Sequence, residues 1–135
     1  MRTAAPVLRV DLESVVPVYE QVASGIRTEL VAGRLHPGDQ LPTVRELALD
    51  LGVHHNTVAE AYRLLAREGW LELRRGRGAT VLERPRPAPR AQAQAEFIQR
   101  LRELVAKAVS EGVPRPMVAA EMSALSLEVK KGESQ

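Results

Sequence analysis

The residues "PTVRELALDLGVHHNTVAEAYRLLAREG", 42 to 69, constrain this chain most, because they hold two short amphipathic patterns with almost nothing between them. Thr43, followed three positions later by Glu46, is the reciprocal pattern that starts a helix, each side chain bonding the other's backbone amide. Val44, Leu47, Ala48 and Leu51 then recur at helical spacing, and Gly52 stops the run. A further helix takes up Val58, Ala61, Tyr62 and Leu65 on its inner face and ends at Gly69. Only Val53, His54 and His55 or so remain for the connection. So tight a turn between two short helices is the geometry of a helix-turn-helix, although two core helices of any small α-rich domain share the pattern.

The flanks narrow the choice. Upstream, "PVYEQVASGIRTELVAG" places Tyr19, Val22, Ile26 and Leu30 on one helical face, with Pro17 suited to the first turn and Gly33 to the stop. The intervening "RLHPGDQLP" forbids continued helix through Pro37-Gly38 and Pro42 and is read as loop. Downstream, "WLELRRGRGATVLE" alternates at Leu71 and Leu73, turns at Gly76 to Gly78 and resumes with Thr80 and Val81, which predicts a hairpin. Arginine alternating with proline over residues 84 to 90 favours extended backbone and predicts a linker. Beyond it, Phe97, Ile98, Leu101, Leu104, Val105, Ala108 and Val109 form one apolar stripe, interrupted at Gly112-Val113-Pro114. Val118, Met122, Leu125 and Val129 form a second. Two helices make a poor core, so this appendage is expected to pack on the first unit or on another copy of itself.

Charge and composition exclude most chemistry. With 135 residues the chain can bury one core of ordinary size but not a large multi-domain enzyme, and no apolar run approaches the ~18 residues of a membrane span. Arg9, Asp11 and Glu13 interrupt the start where a signal peptide would be apolar, so a cytoplasmic protein without membrane contact is expected. The absence of cysteine removes disulfides, thiolate zinc sites and cysteine nucleophiles. No serine sits in a glycine-rich elbow, and the glycines of "RRGRGAT" lack the lysine and following helix of a phosphate loop. His54 and His55, as neighbours on a helix, diverge by about 100° and cannot converge on one ion, and nothing in the sequence brings His36 to them. No metal, no cofactor and no enzyme activity are therefore expected. Net charge is only +2, yet six arginines face one glutamate between Arg74 and Arg90, a cluster suited either to a solvated surface or to a polyanion.

His55, Asn56, Ala59 and Arg63 point away from the core, and the hairpin tip is Arg75-Gly76-Arg77-Gly78. Small, polar and basic side chains near a helix start suit the DNA major groove. An arginine-glycine tip suits the narrow minor groove beside it. Taken in order, "PG..LPT.RELA", "NTV..AY..L..EG" and "GRG..V", all within residues 37 to 81, resemble the winged helix-turn-helix domain of the GntR family of bacterial transcription regulators. The "NTV..AY" form is similar to the branch shared by YtrA-type and MocR-type regulators. The large aminotransferase-like domain of the latter has no room in 135 residues, whereas a two-helix tail resembles the YtrA-like subfamily.

The resemblance implies a mainly α fold with a small β-hairpin: a winged helix-turn-helix DNA-binding domain over residues 12–83, an Arg/Pro linker over 84–90 and a two-helix dimerisation region over 91–131. It implies that Thr43 touches phosphate through hydroxyl or amide, that Arg45 reaches a guanine edge, and that His54, His55, Asn56 and Thr57 form the turn and opening of the recognition helix. Arg75, Gly76, Arg77 and Gly78 would enter the minor groove, the glycines allowing close approach. For Arg45 a salt bridge to a nearby acid is the alternative. Tyr62 is placed in the core by its spacing. Phe97, Leu101, Leu104, Val105, Val118, Met122 and Leu125 would join two protomers. Where the family commonly has Ser-Arg, this chain has His54-His55. Histidine is a poorer cap than serine by about 1 kcal/mol, unless Asn56 or Thr57 takes the role, and His55 cannot make a two-pronged guanidinium contact. The expected function is that of a homodimeric repressor on double-stranded DNA with a palindromic operator. A DNA-binding accessory or architectural protein is the alternative. Two helices are too few to enclose a pocket of the usual ~300 Å³, so any small-molecule effector would bind at the dimer interface or between domains.

Overall fold

The computed structural model describes residues 3–84 and 90–133, which fall into two compact units. One comprises residues up to Arg84 together with those from Lys130; the other ends at Val129. Of the expected linker, residues 85–89 lie outside the described residues, while Arg84 holds its guanidinium 4.2 Å from the centroid of the Trp70 ring.

The first unit is built around α1 (Val18–Val31), α2 (Val44–Leu51) and α3 (His55–Arg67). Pro17 precedes the first turn of α1, as its fixed φ favours. Around α2 the capping pattern forms as the sequence predicts: the Glu46 amide donates to Thr43 Oγ1 and the Thr43 amide donates to Glu46 Oε1, both at 3.1 Å. Val22, Ile26, Leu47, Val58, Ala61, Tyr62 and Leu65 meet in one buried core. Arg27 of α1 grips Glu68, just past α3, with two bonds of 3.0 and 2.7 Å, so the outer helices are also tied at the rim.

Two elements differ from the sequence reading. The loop around Asp39 contains a short strand, β1 (Gln40–Leu41), which pairs with β3 (Gly78–Val81); β3 in turn pairs with β2 (Leu71–Arg74), giving the antiparallel order β1-β3-β2. The wing is therefore a three-stranded sheet, its tip sewn back by a 2.7 Å bond from Gln40 Nε2 to the Arg77 carbonyl. Residues ahead of position 12 also belong to this unit, because Ala4, Leu8 and Val10 pack on the core and the Ala4 amide donates to the Gln40 carbonyl.

The second unit consists of α4 (Ala91–Ser110) and most of α5 (Arg115–Glu133). None of the residues of α4 is buried. Phe97 and Leu104 remain more than 60% exposed, so the apolar stripe read from the sequence exists as a surface. Among the described residues no helix is long and apolar enough to cross a membrane.

Candidate nucleic-acid interface

Between α2, α3 and the wing lies an open cleft of about 560 Å³. Thr43 and Arg45 line it from α2 and its cap, His55, Ala59 and Arg63 from α3, and Leu73, Arg74, Arg75, Gly76 and Gly78 from the hairpin, with Tyr62 at its floor. Residues spaced i, i+4 and i+8 on α3 share one face, which is why His55, Ala59 and Arg63 line up along it. Of the expected DNA contacts, six share this cleft: Thr43, Arg45, His55, Arg75, Gly76 and Gly78. His54, Asn56, Thr57 and Arg77 lie outside its lining, the first three around the start of α3 and Arg77 in the turn of the wing. Arg74 and Leu73 line the cleft in addition to the contacts the sequence predicts. Leu73 alternates with Leu71 as expected, but Leu71 is buried whereas Leu73 is 43% exposed and faces the cleft.

The cleft is electropositive by arrangement as well as by count. Glu60 holds Arg63 at 2.9 Å, and Glu72 lies 3.5 Å from Arg74. Arg45 and Arg75 have no acidic partner among the described residues, so the alternative of a salt bridge for Arg45 does not form there. An unneutralised guanidinium keeps its five donors for an incoming phosphate or guanine. Bonding to Arg63 holds the Glu60 carboxyl below the usual carboxylate range, as bonding to Thr43 does for Glu46.

Three residues act differently from expectation. The Thr43 amide is spent on Glu46, so only the hydroxyl proton is left to donate to a phosphate. Gly78 has its reason inside the protein: with φ +74, any Cβ there would come within 2.6 Å of the Leu41 carbonyl oxygen and 2.8 Å of that of Pro42. Gly76, also at φ +74, has open space around it and serves the turn, in which the Arg77 amide donates to the Arg74 carbonyl at 3.0 Å. The cap of α3 is neither Asn56 nor Thr57 but His54, whose Nδ1 accepts from the Asn56 amide at 3.1 Å. His54 and His55 stack with ring centroids 4.3 Å apart, and no cluster of metal-ligating side chains occurs among the described residues. Tyr62 is buried as its spacing predicts, and its hydroxyl donates to the Pro42 carbonyl at 2.8 Å; burial, then the charge of Glu46, push that hydroxyl's pKa up.

The family described as "Bacterial regulatory proteins, gntR family" matches residues 18–81, which span the three helices and the wing. The HTH-type transcriptional repressor YtrA of Bacillus subtilis is 32% identical over 126 residues, covering 93% of this chain and 97% of that protein. This chain belongs to the GntR family. Within it, the chain is YtrA-like. A structure of YtrA from Sulfolobus acidocaldarius, a GntR-family transcription factor, superposes with a TM-score of 0.55 at 34% identity, over 76% of this chain and 97% of that one. The HTH-type transcriptional regulator Rv1152 of Mycobacterium tuberculosis is 43% identical over 93 residues, 67% of this chain and 76% of its own length. As a GntR-family member the protein is a DNA-binding transcription regulator, and the electropositive cleft is its winged helix-turn-helix surface.

Proposed function

We propose that this regulator is a cytoplasmic repressor that holds a palindromic operator as a homodimer, one winged unit on each half-site. The observation that carries the reading is the cleft itself, in which Arg45 and Arg75 line the same opening as the exposed face of α3 and have no acidic partner among the described residues. In this reading α3 enters the major groove with His55 and Asn56 foremost, Arg45 takes a guanine edge, and the Thr43 hydroxyl meets a phosphate. The turn Arg75-Gly76-Arg77 follows the adjacent minor groove. The second unit supplies the dimer contact: Leu101, Val105, Val109 and Met122 line an apolar cleft of about 740 Å³ flanked by Arg102 and Arg115, which the partner's stripe fills. A small-molecule effector would have to compete for that same cleft.

A bidentate guanine contact discriminates by roughly 1–3 kcal/mol, so Arg45→Ala weakens operator binding by about that amount and barely changes affinity for random DNA. Equal losses on both duplexes refute the role. Footprinting on the chain's own promoter separates repressor from architectural protein: a protected palindrome supports the first, uniform coating the second.

A further inference from the structure

We infer that His54 is a positioning residue of the recognition helix, and that it holds the first turn of α3 only while its imidazole is neutral with the proton on Nε2. The Asn56 amide is a donor, so the bond of 3.1 Å to Nδ1 requires a lone pair on that nitrogen. A neutral imidazole has one bare nitrogen and one N–H, which fixes the tautomer. Protonation turns both nitrogens into donors, breaks this bond and puts a cation at the positive end of the helix. A serine or aspartate at the same position would do neither.

Little around the ring offsets that change. His55 stacks on it at 4.3 Å and is itself titratable. The acids nearest in sequence are Glu46 and Asp50 of α2 and Glu60 of α3. Glu46 is engaged by Thr43 and Glu60 by Arg63, and no acid makes an ion pair with His54 or His55 among the described residues. His36, the remaining histidine, faces Asp39 at 3.6 Å. The first turn that His54 caps carries His55 and Asn56, so the cap bears on DNA; this step rests on the function proposed above. Two adjacent histidines then respond to acid in opposite directions. Protonating His54 loosens the helix start, whereas protonating a His55 that meets phosphate tightens the complex.

The test uses the full chain as wild type, His54→Ser and His54→Ala. Without DNA, ¹⁵N NMR at about pH 8 should show bare Nδ1 and protonated Nε2 on His54, and the Asn56 amide should shift as acid protonates that ring. His54→Ser should keep the Asn56 amide protected from exchange with no such titration, and His54→Ala should leave it unprotected. An Nδ1–H tautomer, or an Asn56 amide indifferent to the titration, overturns the inference. With the footprinted promoter duplex, the affinity of wild type relative to His54→Ser should fall as acid protonates the ring, by up to about fivefold, the worth of one cap. A constant ratio overturns the link from cap to DNA. Failure of all three proteins to bind that duplex overturns the DNA reading instead, and the NMR arm still decides the cap.

Discussion

The winged unit and the α4–α5 unit are written in the same amphipathic code, yet they treat their apolar residues in opposite ways. Ile26 and Leu65 are fully buried within a single chain, whereas Phe97 and Leu104 on α4 stay exposed. The difference lies in what surrounds each stripe. Three helices and a sheet offer α1 and α3 facing surfaces on several sides, while two helices have no third surface to close over them. Side-chain caps start α2 and α3, the two helices that frame the turn, whereas α1 begins at Pro17 and α4 at Arg90 without one. If the α4–α5 unit joins two copies as proposed, stability of the first unit is a property of the chain, and that of the second depends on concentration.

The largest test of this contrast is in the core. Ile26→Ala should lower unfolding free energy by about 2–5 kcal/mol at any protein concentration, read by denaturant titration of Trp70 fluorescence. Phe97→Ala removes more carbon but should leave that transition in place and weaken self-association; equal losses at the two sites would end the comparison. Leu101→Glu puts a charge on the proposed dimer face and should halve the mass in analytical ultracentrifugation, whereas an unchanged mass would place the stripe in an intramolecular core. Within the wing, Gly76→Ala should cost about 1 kcal/mol for its positive φ. Gly78→Ala should cost about 1–3 kcal/mol more, because its Cβ also meets the Leu41 and Pro42 carbonyls. Matching melting temperatures for the two would remove the steric account.

The smallest effect concerns the cap of α2. Bonding to Thr43 lowers the Glu46 pKa in the folded protein, so the associated stability is complete above the ordinary carboxylate value of about 4.3 and is lost as pH falls through the lowered one. Glu46→Gln does not titrate, and the stability gap between it and wild type should close with acid. A gap unchanged from neutral pH to about pH 3 would mean the carboxylate contributes nothing as a charge.

What could be read from sequence followed the range of the interactions. Local signals, such as Thr43 with Glu46, the stripe through Tyr62 and Leu65, and the glycines of the hairpin, predict α1 to α3 and the β2–β3 pair where they lie. β1 escaped because two residues show no periodicity, and its partner Thr80 lies forty positions away along the chain. Ala4 and Leu8 escaped for the same reason, since nothing near them in sequence announces a core built elsewhere. At the interface, identity of side chain was legible and hydrogen-bond use was not. Sequence shows that Thr43 has two donors, but only the folded cap shows one already taken. Gly78 is equally instructive: a wing-tip glycine suggests close approach to DNA, and the backbone it approaches is its own.

The bond from the Tyr62 hydroxyl to the Pro42 carbonyl joins the middle of α3 to the residue just ahead of the α2 cap. Arg45 and His55 consequently sit on one rigid fork whose prongs cannot be spread without exposing a buried polar pair. In the proposed complex, a base inserted within a half-site should thus be tolerated poorly.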